Sequence, residues 1–173
     1  MKDGSPDDLL DGLVAGRERA FAALYDRCGP ALFRVAAAIA GSREEAEDAV
    51  QDVFVGLVRA GERLRGVRNL RAYLFASVRR AAVRRSRCVR PAALTAADVP
   101  DTAAWHDNGD VETADRLERA LASLPAAQRE VVALHVDGGL TFDECGEALG
   151  VSPNTAASRY RYALEKLRDA LKE

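Results

Sequence analysis

The sequence predicts an all-α protein, two small helical domains joined by a flexible acidic linker. Three observations carry this. Alanine and leucine are abundant and β-branched runs are few, which favours helix almost throughout. Apolar residues recur at three- and four-residue intervals in both halves of the 173-residue chain. Between the halves, residues 91–112 hold Pro91, Pro100, Gly109 and many aspartates, with little periodicity and one bulky side chain, Trp105. The expected boundaries are 7–88 for the first domain, 89–112 for the linker and 113–171 for the second domain.

The elements follow in order. Ser5-Pro6-Asp7-Asp8 is a cap signature ahead of Leu9, Leu10 and Leu13. A helix over 18–27 turns Phe21, Leu24 and Tyr25 inward until Gly29-Pro30 breaks the chain. Leu32, Phe33, Val35, Ala36 and Ile39 mark the next helix, which ends at Gly41. Ser42 with Glu45 reads as a capping box that opens a helix to about Ala60. Residues 61–69 read as an arginine-rich loop. The helix after it runs from 70 to about 87, with Leu70, Tyr73, Leu74, Ser77, Val78 and Ala81 on its packed side. Beyond the linker, helices are expected over 113–123 and 126–135, separated at Leu124-Pro125.

The last third is the most informative. Thr141 with Glu144 is a second capping box, so a helix starts at Phe142. Gly150 supplies a left-handed turn residue, and Ser152-Pro153 opens one more helix. Two helices joined this way form a helix-turn-helix, whose second helix suits the DNA major groove. In that helix Ala156, Tyr160, Ala163, Leu164, Leu167 and Leu171 fall on one stripe. Asn154, Thr155, Ser158, Arg161, Tyr162 and Glu165 are left on the other side, where amide, hydroxyl and guanidinium groups suit base edges and phosphates. An αα-hairpin with a solvated polar face is the plainer alternative.

Charge is unevenly placed. The net charge is −2 and the isoelectric point near 5.8. Yet residues 59–90 carry eleven arginines against Glu62, and residues 98–118 carry seven acids against Arg116. Arginines 79, 80, 84, 85 and 87 wrap one helix and repel one another unless phosphates neutralise them. Tyr73 and Phe75 just upstream offer a stacking platform for unpaired bases. A solvated basic face resting on the acidic linker is the alternative. In the helix after Ser42, Glu44, Asp48 and Asp52 stand four apart, where like charges cost about 0.2–0.5 kcal/mol per pair. A surface kept acidic at a cost suggests a basic partner protein, against a merely solvated face.

Other classes are excluded or unsupported. No apolar run approaches a membrane span, and the acidic N-terminus has no signal-peptide core. Cys28, Cys88 and Cys145 fit a reducing cytosol; with His106 and His135 they show no metal-ligand spacing. Small semi-buried thiols are expected, with redox sensing by Cys88 beside the arginines as the alternative. No phosphate-cradling loop, HExxH motif or nucleophile elbow appears, so no catalytic residue, cofactor or metal is expected.

EEAEDAVQDVF, RNLRAYLFASVRR, LPAAQREVVALHVDGGLTFDECGEALGVSPNTAASR and the spacing between them resemble the extracytoplasmic-function (ECF) sigma factors, the small two-domain class of sigma-70 subunits of bacterial RNA polymerase. The likeness runs from about Leu9 to Leu171. It implies a four-helix sigma region 2 domain and a helix-turn-helix region 4 domain in a cytoplasmic protein. Glu44, Glu47, Asp48, Gln51, Asp52 and Phe54 are similar to the segment that docks on the clamp coiled coil of core RNA polymerase. Arg63, Arg65, Arg68 and Asn69 fall in the loop that captures an unstacked base of the −10 promoter element. Tyr73, Arg79, Arg80, Arg84 and Arg87 match the helix that contacts the −10 region. Asn154, Thr155, Ala157, Ser158, Arg159, Arg161 and Tyr162 match the helix that reads the −35 element of promoter DNA. Such proteins commonly await release from an anti-sigma factor.

The chain also departs from the family pattern. Arg80 and Arg84 stand where Asn and Asp are frequent, and Val58 where tryptophan is common. Ala157 and Tyr162 stand where basic residues are frequent; Tyr162 offers stacking or a thymine-methyl contact instead. A stand-alone helix-turn-helix regulator and a protein-binding adaptor are the rival readings.

Overall fold

Local capping chemistry sets the helix starts at Ser42, Asn69, Thr141 and Ser152. The structure, a computed structural model, describes residues 6–86 and 111–172. The expected site residue Arg87, Cys88 and the expected linker up to residue 110, with Trp105, lie outside the described residues; the last two linker positions, 111 and 112, instead open a helix. The described residues are helical, with no strand among them. The elements are α1 (Pro6–Val14), α2 (Glu18–Ala40), α3 (Arg43–Ala60), a 3-10 segment (Gly61–Gly66), α4 (Leu70–Ser86), α5 (Val111–Ser123), α6 (Ala126–Val132), α7 (Phe142–Leu149) and α8 (Pro153–Lys172). Residues Ala133–Asp137 continue α6 as a π-helical turn.

Ser42 Oγ accepts from the Glu45 N–H at 3.2 Å and opens α3. At Thr141 both arms of the capping box are present, the Glu144 carboxylate accepting in return from the Thr141 N–H at 2.7 Å. Gly150 ends α7 at φ 69°, a left-handed backbone that glycine adopts without steric cost. Thr155 N–H donates to Ser152 Oγ at 3.1 Å, so the serine caps α8 as expected, with Pro153 its first residue.

Several expectations are corrected. Tyr25, expected to turn inward, is exposed. Gly29-Pro30 does not break the chain; α2 runs straight through it. Proline removes one helix hydrogen bond and costs about 3 kcal/mol in a helix interior. Leu24 on one side and Leu32, Phe33 and Val35 on the other are buried in the same core. At about 1.5–3 kcal/mol each, their burial outweighs the break. Residues 61–66 form a 3-10 turn pinned by the buried Leu64. Phe75 is no stacking platform: it is 0% exposed. One face of α4 packs on α2 and α3, while another meets α7 of the second half. A helix covered on two sides shows no single apolar stripe, which is why Phe75 escaped the periodicity.

The first core joins α1–α4, and its apolar cluster extends without a break to Val131, Leu134, Leu140, Cys145 and Ala156 of the second half. A smaller cluster of Ala120, Leu124, Val132, Ala163 and Leu167 holds α5, α6 and α8 together. Leu164 and Leu171, expected on the packed stripe of α8, stay exposed because they flank the buried line of Ala156, Ala163 and Leu167.

Candidate nucleic-acid and polymerase interface

Two shallow clefts meet over α3 and α4. One, of about 310 Å³, is lined by Gly56, Arg59, Ala60, Arg63, Leu64, Val67 and Tyr73. The other, of about 190 Å³, is lined by Asp52, Val53, Gly56, Tyr73, Ser77, Arg80, Ala81 and Arg84. Gly56 and Tyr73 belong to both, so the clefts form one groove with an aromatic ring in it. Four of the nine expected −10 residues, Arg63, Tyr73, Arg80 and Arg84, gather there. Arg80 donates to Ser77 Oγ at 2.9 Å, which holds its guanidinium along the rim. Four arginines against one aspartate make the groove cationic, and a half-buried tyrosine offers a face to an unpaired base.

The other expected −10 residues are placed differently. Arg65 pairs with Glu62 and Asp11, both at 2.8 Å, and Arg68 is exposed on the loop before α4. Asn69 caps α4 by accepting from the Ala72 N–H at 3.0 Å, and its amide donates to Glu144 of α7. Arg79 donates to Glu130 at 2.8 Å and to the Ala148 carbonyl at 3.2 Å. Asn69 and Arg79 therefore face the second half of the protein. Three further arginines cross the same seam. Arg34 pairs with Asp137 at 2.5 Å, Arg71 donates to the Gly138 carbonyl at 2.6 Å, and Arg129 donates to the Ala38 carbonyl at 2.8 Å. Gly139 leaves room for Arg71: a Cβ there would lie 2.6 Å from its guanidinium.

The acidic face of α3 has a built-in counter-ion. Arg85 of α4 donates to Asp48 at 2.8 Å, to Asp52 at 3.1 and 3.2 Å, and to Glu45 at 3.4 Å. The like-charge cost expected for Asp48 and Asp52 is thus offset within the chain, and Arg85, like Arg79, is paired with carboxylates in this structure. Glu47 pairs with Arg43 at 2.7 Å, while Glu44 and Gln51 are exposed. Phe54 is half-buried against Tyr25, ring centroids 5.3 Å apart, beside the exposed Val55 and Val58.

On α8, Asn154, Thr155, Arg161 and Tyr162 are exposed; Ala157, Ser158 and Arg159 are half-buried. Arg161 stacks over the Tyr162 ring at 5.6 Å. Beneath them His135, Phe142 and Tyr160 form a ring cluster with centroids 4.4–5.5 Å apart, fixing α8 on the preceding helices. His135 Nδ1 lies 2.7 Å from the Leu140 carbonyl. Gly146 lets the turn close, since a Cβ there would lie 2.9 Å from the Val151 carbonyl.

Gly56 and Arg59 of the groove carried no expected role, and Arg85, expected among the arginines that phosphates neutralise, instead holds the acidic face of α3. Gly56 carried a signal: a glycine inside a helix costs about 1 kcal/mol relative to alanine, so it wants a reason, and here it leaves the groove floor bare.

The two described cysteines, Cys28 and Cys145, behave as small apolar groups. Burial raises the Cys28 thiol above its usual range despite Arg71 and Arg27. Burial, with Glu144 nearby, pushes Cys145 up to about 11. The unfolded thiol ionises from about 9. The folded form thus holds its proton longer, and stability falls as pH rises from about 9 to about 11. Urea unfolding at pH 7.5 and 10.5 is expected to show a loss in the parent protein about 2 kcal/mol greater than in Cys145→Ala. Equal losses would remove Cys145 as the cause.

Comparison with known proteins places this architecture. Residues 24–90 match the Sigma-70 region 2 family, and residues 114–167 match Sigma-70, region 4. The ECF RNA polymerase sigma factor SigM of Mycobacterium tuberculosis is 32% identical over 164 residues, covering 94% of this chain and 83% of that one. RNA polymerase sigma factor NccH of Alcaligenes xylosoxydans xylosoxydans is 31% identical, covering 96% and 95%. The structure of CnrH in complex with the cytosolic domain of CnrY superposes with a TM-score of 0.69 at 28% identity, covering 95% of each chain. The RpoE fold from Bartonella quintana, solved with the anti-sigma factor NepR, gives the same TM-score at 23% identity, covering 88% and 96%. The chain belongs to the ECF sigma factors of the sigma-70 family, proteins that act in transcription initiation without catalysing it. Among the described residues no helix is long and apolar enough to cross a membrane.

Proposed function

We propose that the chain directs core RNA polymerase to promoters and helps to open them, binding and deforming DNA while the polymerase supplies the chemistry. The observation that carries this reading is the cationic groove at Gly56 and Tyr73, on the same chain as a capped helix-turn-helix. In this reading residues 113–171 position the duplex. Asn154, Thr155, Ala157, Ser158, Arg159, Arg161 and Tyr162 of α8 meet the −35 element. Residues 7–88 take the −10 element, with Arg63, Tyr73, Arg80 and Arg84 of the groove holding a separated strand and Arg65 and Arg68 steering its backbone. Unstacking costs a few kcal/mol, recovered as a flipped base finds the pocket and phosphates meet arginine. Asn69 and Arg79 join that surface only when the two halves part, because both now bond to the second half. Glu44, Glu47, Asp48, Gln51, Asp52 and Phe54 dock on the clamp coiled coil. Residues 89–112 tether the halves. The protein works in the cytoplasm, carries no enzymatic activity and needs no cofactor or metal. An anti-sigma factor that keeps it in store is the third partner.

Run-off transcription with core polymerase lacking its own specificity subunit tests this. Promoter-dependent transcripts are expected only when the chain is added, with weak duplex binding by the chain alone. Tight binding of a palindromic duplex without polymerase would instead favour a stand-alone regulator.

A further inference from the structure

Arg85 occupies an unusual position between two surfaces. Its guanidinium touches three carboxylates of α3, those of Glu45, Asp48 and Asp52, and is itself about a quarter exposed. One cation among three anions leaves that corner with a surplus negative charge. Asp52 also lines the groove, together with Arg80 and Arg84. Arg85 is thus bonded to a residue that belongs both to the acidic docking face and to the cationic groove, and its chain neighbour Arg84 already lines that groove.

The Asp48 and Asp52 carboxylates are half-exposed and their pairs with Arg85 individually weak, so replacing one cation by another there costs little, while Glu45, more buried, holds Arg85 only at 3.4 Å. A lysine or arginine of a basic partner laid along α3 would compete for the same carboxylates. Once displaced, a guanidinium on the last turn of α4 has phosphate as its best remaining partner, since its planar fork matches phosphate oxygens as well as carboxylates. The partner's cation takes the two aspartates, and Arg85 exchanges them for a phosphate.

From this geometry we infer that Arg85 is an exchangeable counter-ion, held by Asp48 and Asp52 in the free chain and released onto the nucleic-acid backbone when a basic polymerase element docks on α3. The inference rests on the proposed polymerase and promoter partners and adds a residue-level link between them. Because linkage is reciprocal, the single strand in turn tightens polymerase docking. Arg85 is therefore a positioning residue for docking and a backbone contact only in the assembled complex. A plain staple between α3 and α4 would have no such conditional role.

Salt dependence separates the two. Full-length parent, Arg85→Ala and Arg85→Lys chains are each titrated, alone and bound to core polymerase. The probe is a fluorescent single strand carrying the non-template −10 segment of a promoter the chain uses. A released arginine that meets one phosphate contributes about 0.7 to the slope of log affinity against log salt for a single strand. The Arg85→Ala holoenzyme is expected to show a slope shallower by about that amount, and the Arg85→Lys holoenzyme to keep the parent slope. The free Arg85→Ala chain is expected to match the free parent. Equal slopes for parent and Arg85→Ala holoenzymes, or the same loss in the free chain, would overturn the inference while leaving the promoter reading intact. A parent holoenzyme that does not hold the strand would overturn both.

Discussion

Phe75→Ala is expected to destabilise the protein by about 3–5 kcal/mol and to halt function by unfolding it, not by loosening a base contact. Phe75 is among the largest fully buried side chains. It belongs to the main apolar cluster, and Arg71, which reaches across to Gly138, lies 5.7 Å over its ring. Removing the ring leaves a cavity that a helix pinned on two sides cannot collapse into. Denaturant unfolding of the variant checks the stability loss. A variant of parent stability with weakened single-strand binding would restore the stacking role that its aromatic character suggests. Tyr73, two residues earlier, lines both clefts, and it is the aromatic that the proposed function assigns to a base.

Reversing two charges on α3, Asp48→Arg with Asp52→Arg, is expected to lower affinity for core polymerase by about 100-fold or more. It should cost only about 1 kcal/mol of stability, because the pairs it breaks with Arg85 are substantially exposed. The two effects share residues, so a third change separates them. Adding Arg85→Glu rebuilds the ion pairs between α3 and α4 with the signs exchanged. Thermal stability should return towards the parent while polymerase affinity stays low, as measured by co-elution with core enzyme and by a melting curve. Affinity that recovered with stability would show that the acids serve only the fold. Affinity untouched by the double reversal would remove α3 as the docking surface.

Much of the architecture was legible because its signals are local. Thr141 with Glu144, Gly150, and Ser152 with Pro153 each act within one helical turn, so the helix-turn-helix could be read residue by residue. The ends at Gly41 and Ser42 were legible for the same reason. What escaped was tertiary. Pro30 reads as a stop until the two apolar halves of α2 are seen in one core. Phe75 reads as a surface aromatic until α7 covers the second face of α4. The acidic row of α3 reads as an uncompensated cost until Arg85, more than thirty residues on, is seen to fill it. Arg34, Arg71 and Arg129 are ordinary charged residues in the sequence, yet each crosses the seam between the halves. Nothing in their immediate neighbours marks an arginine whose partner is a distant carbonyl or carboxylate.

The groove was legible in kind but not in membership. Composition showed a block of arginines with aromatics beside it; only the packing of α3 on α4 divides that block. Some arginines line the groove, some close the seam, and one holds the acidic face. A basic stretch is therefore not a single surface, and substitutions within it should differ in kind. Losses at Arg63, Arg80 or Arg84 should fall on nucleic-acid binding, and losses at Arg79 on the contact between halves.

Run-off transcription bears most directly on the central claim that this chain confers promoter choice on a polymerase. Purified chain and core enzyme freed of other specificity subunits are combined on templates carrying a promoter recovered from transcripts made on overexpression. A discrete transcript from a fixed start is expected with the chain and not from core enzyme alone. Stable association with core polymerase that leaves start sites unchanged, or no association at all, would contradict that claim.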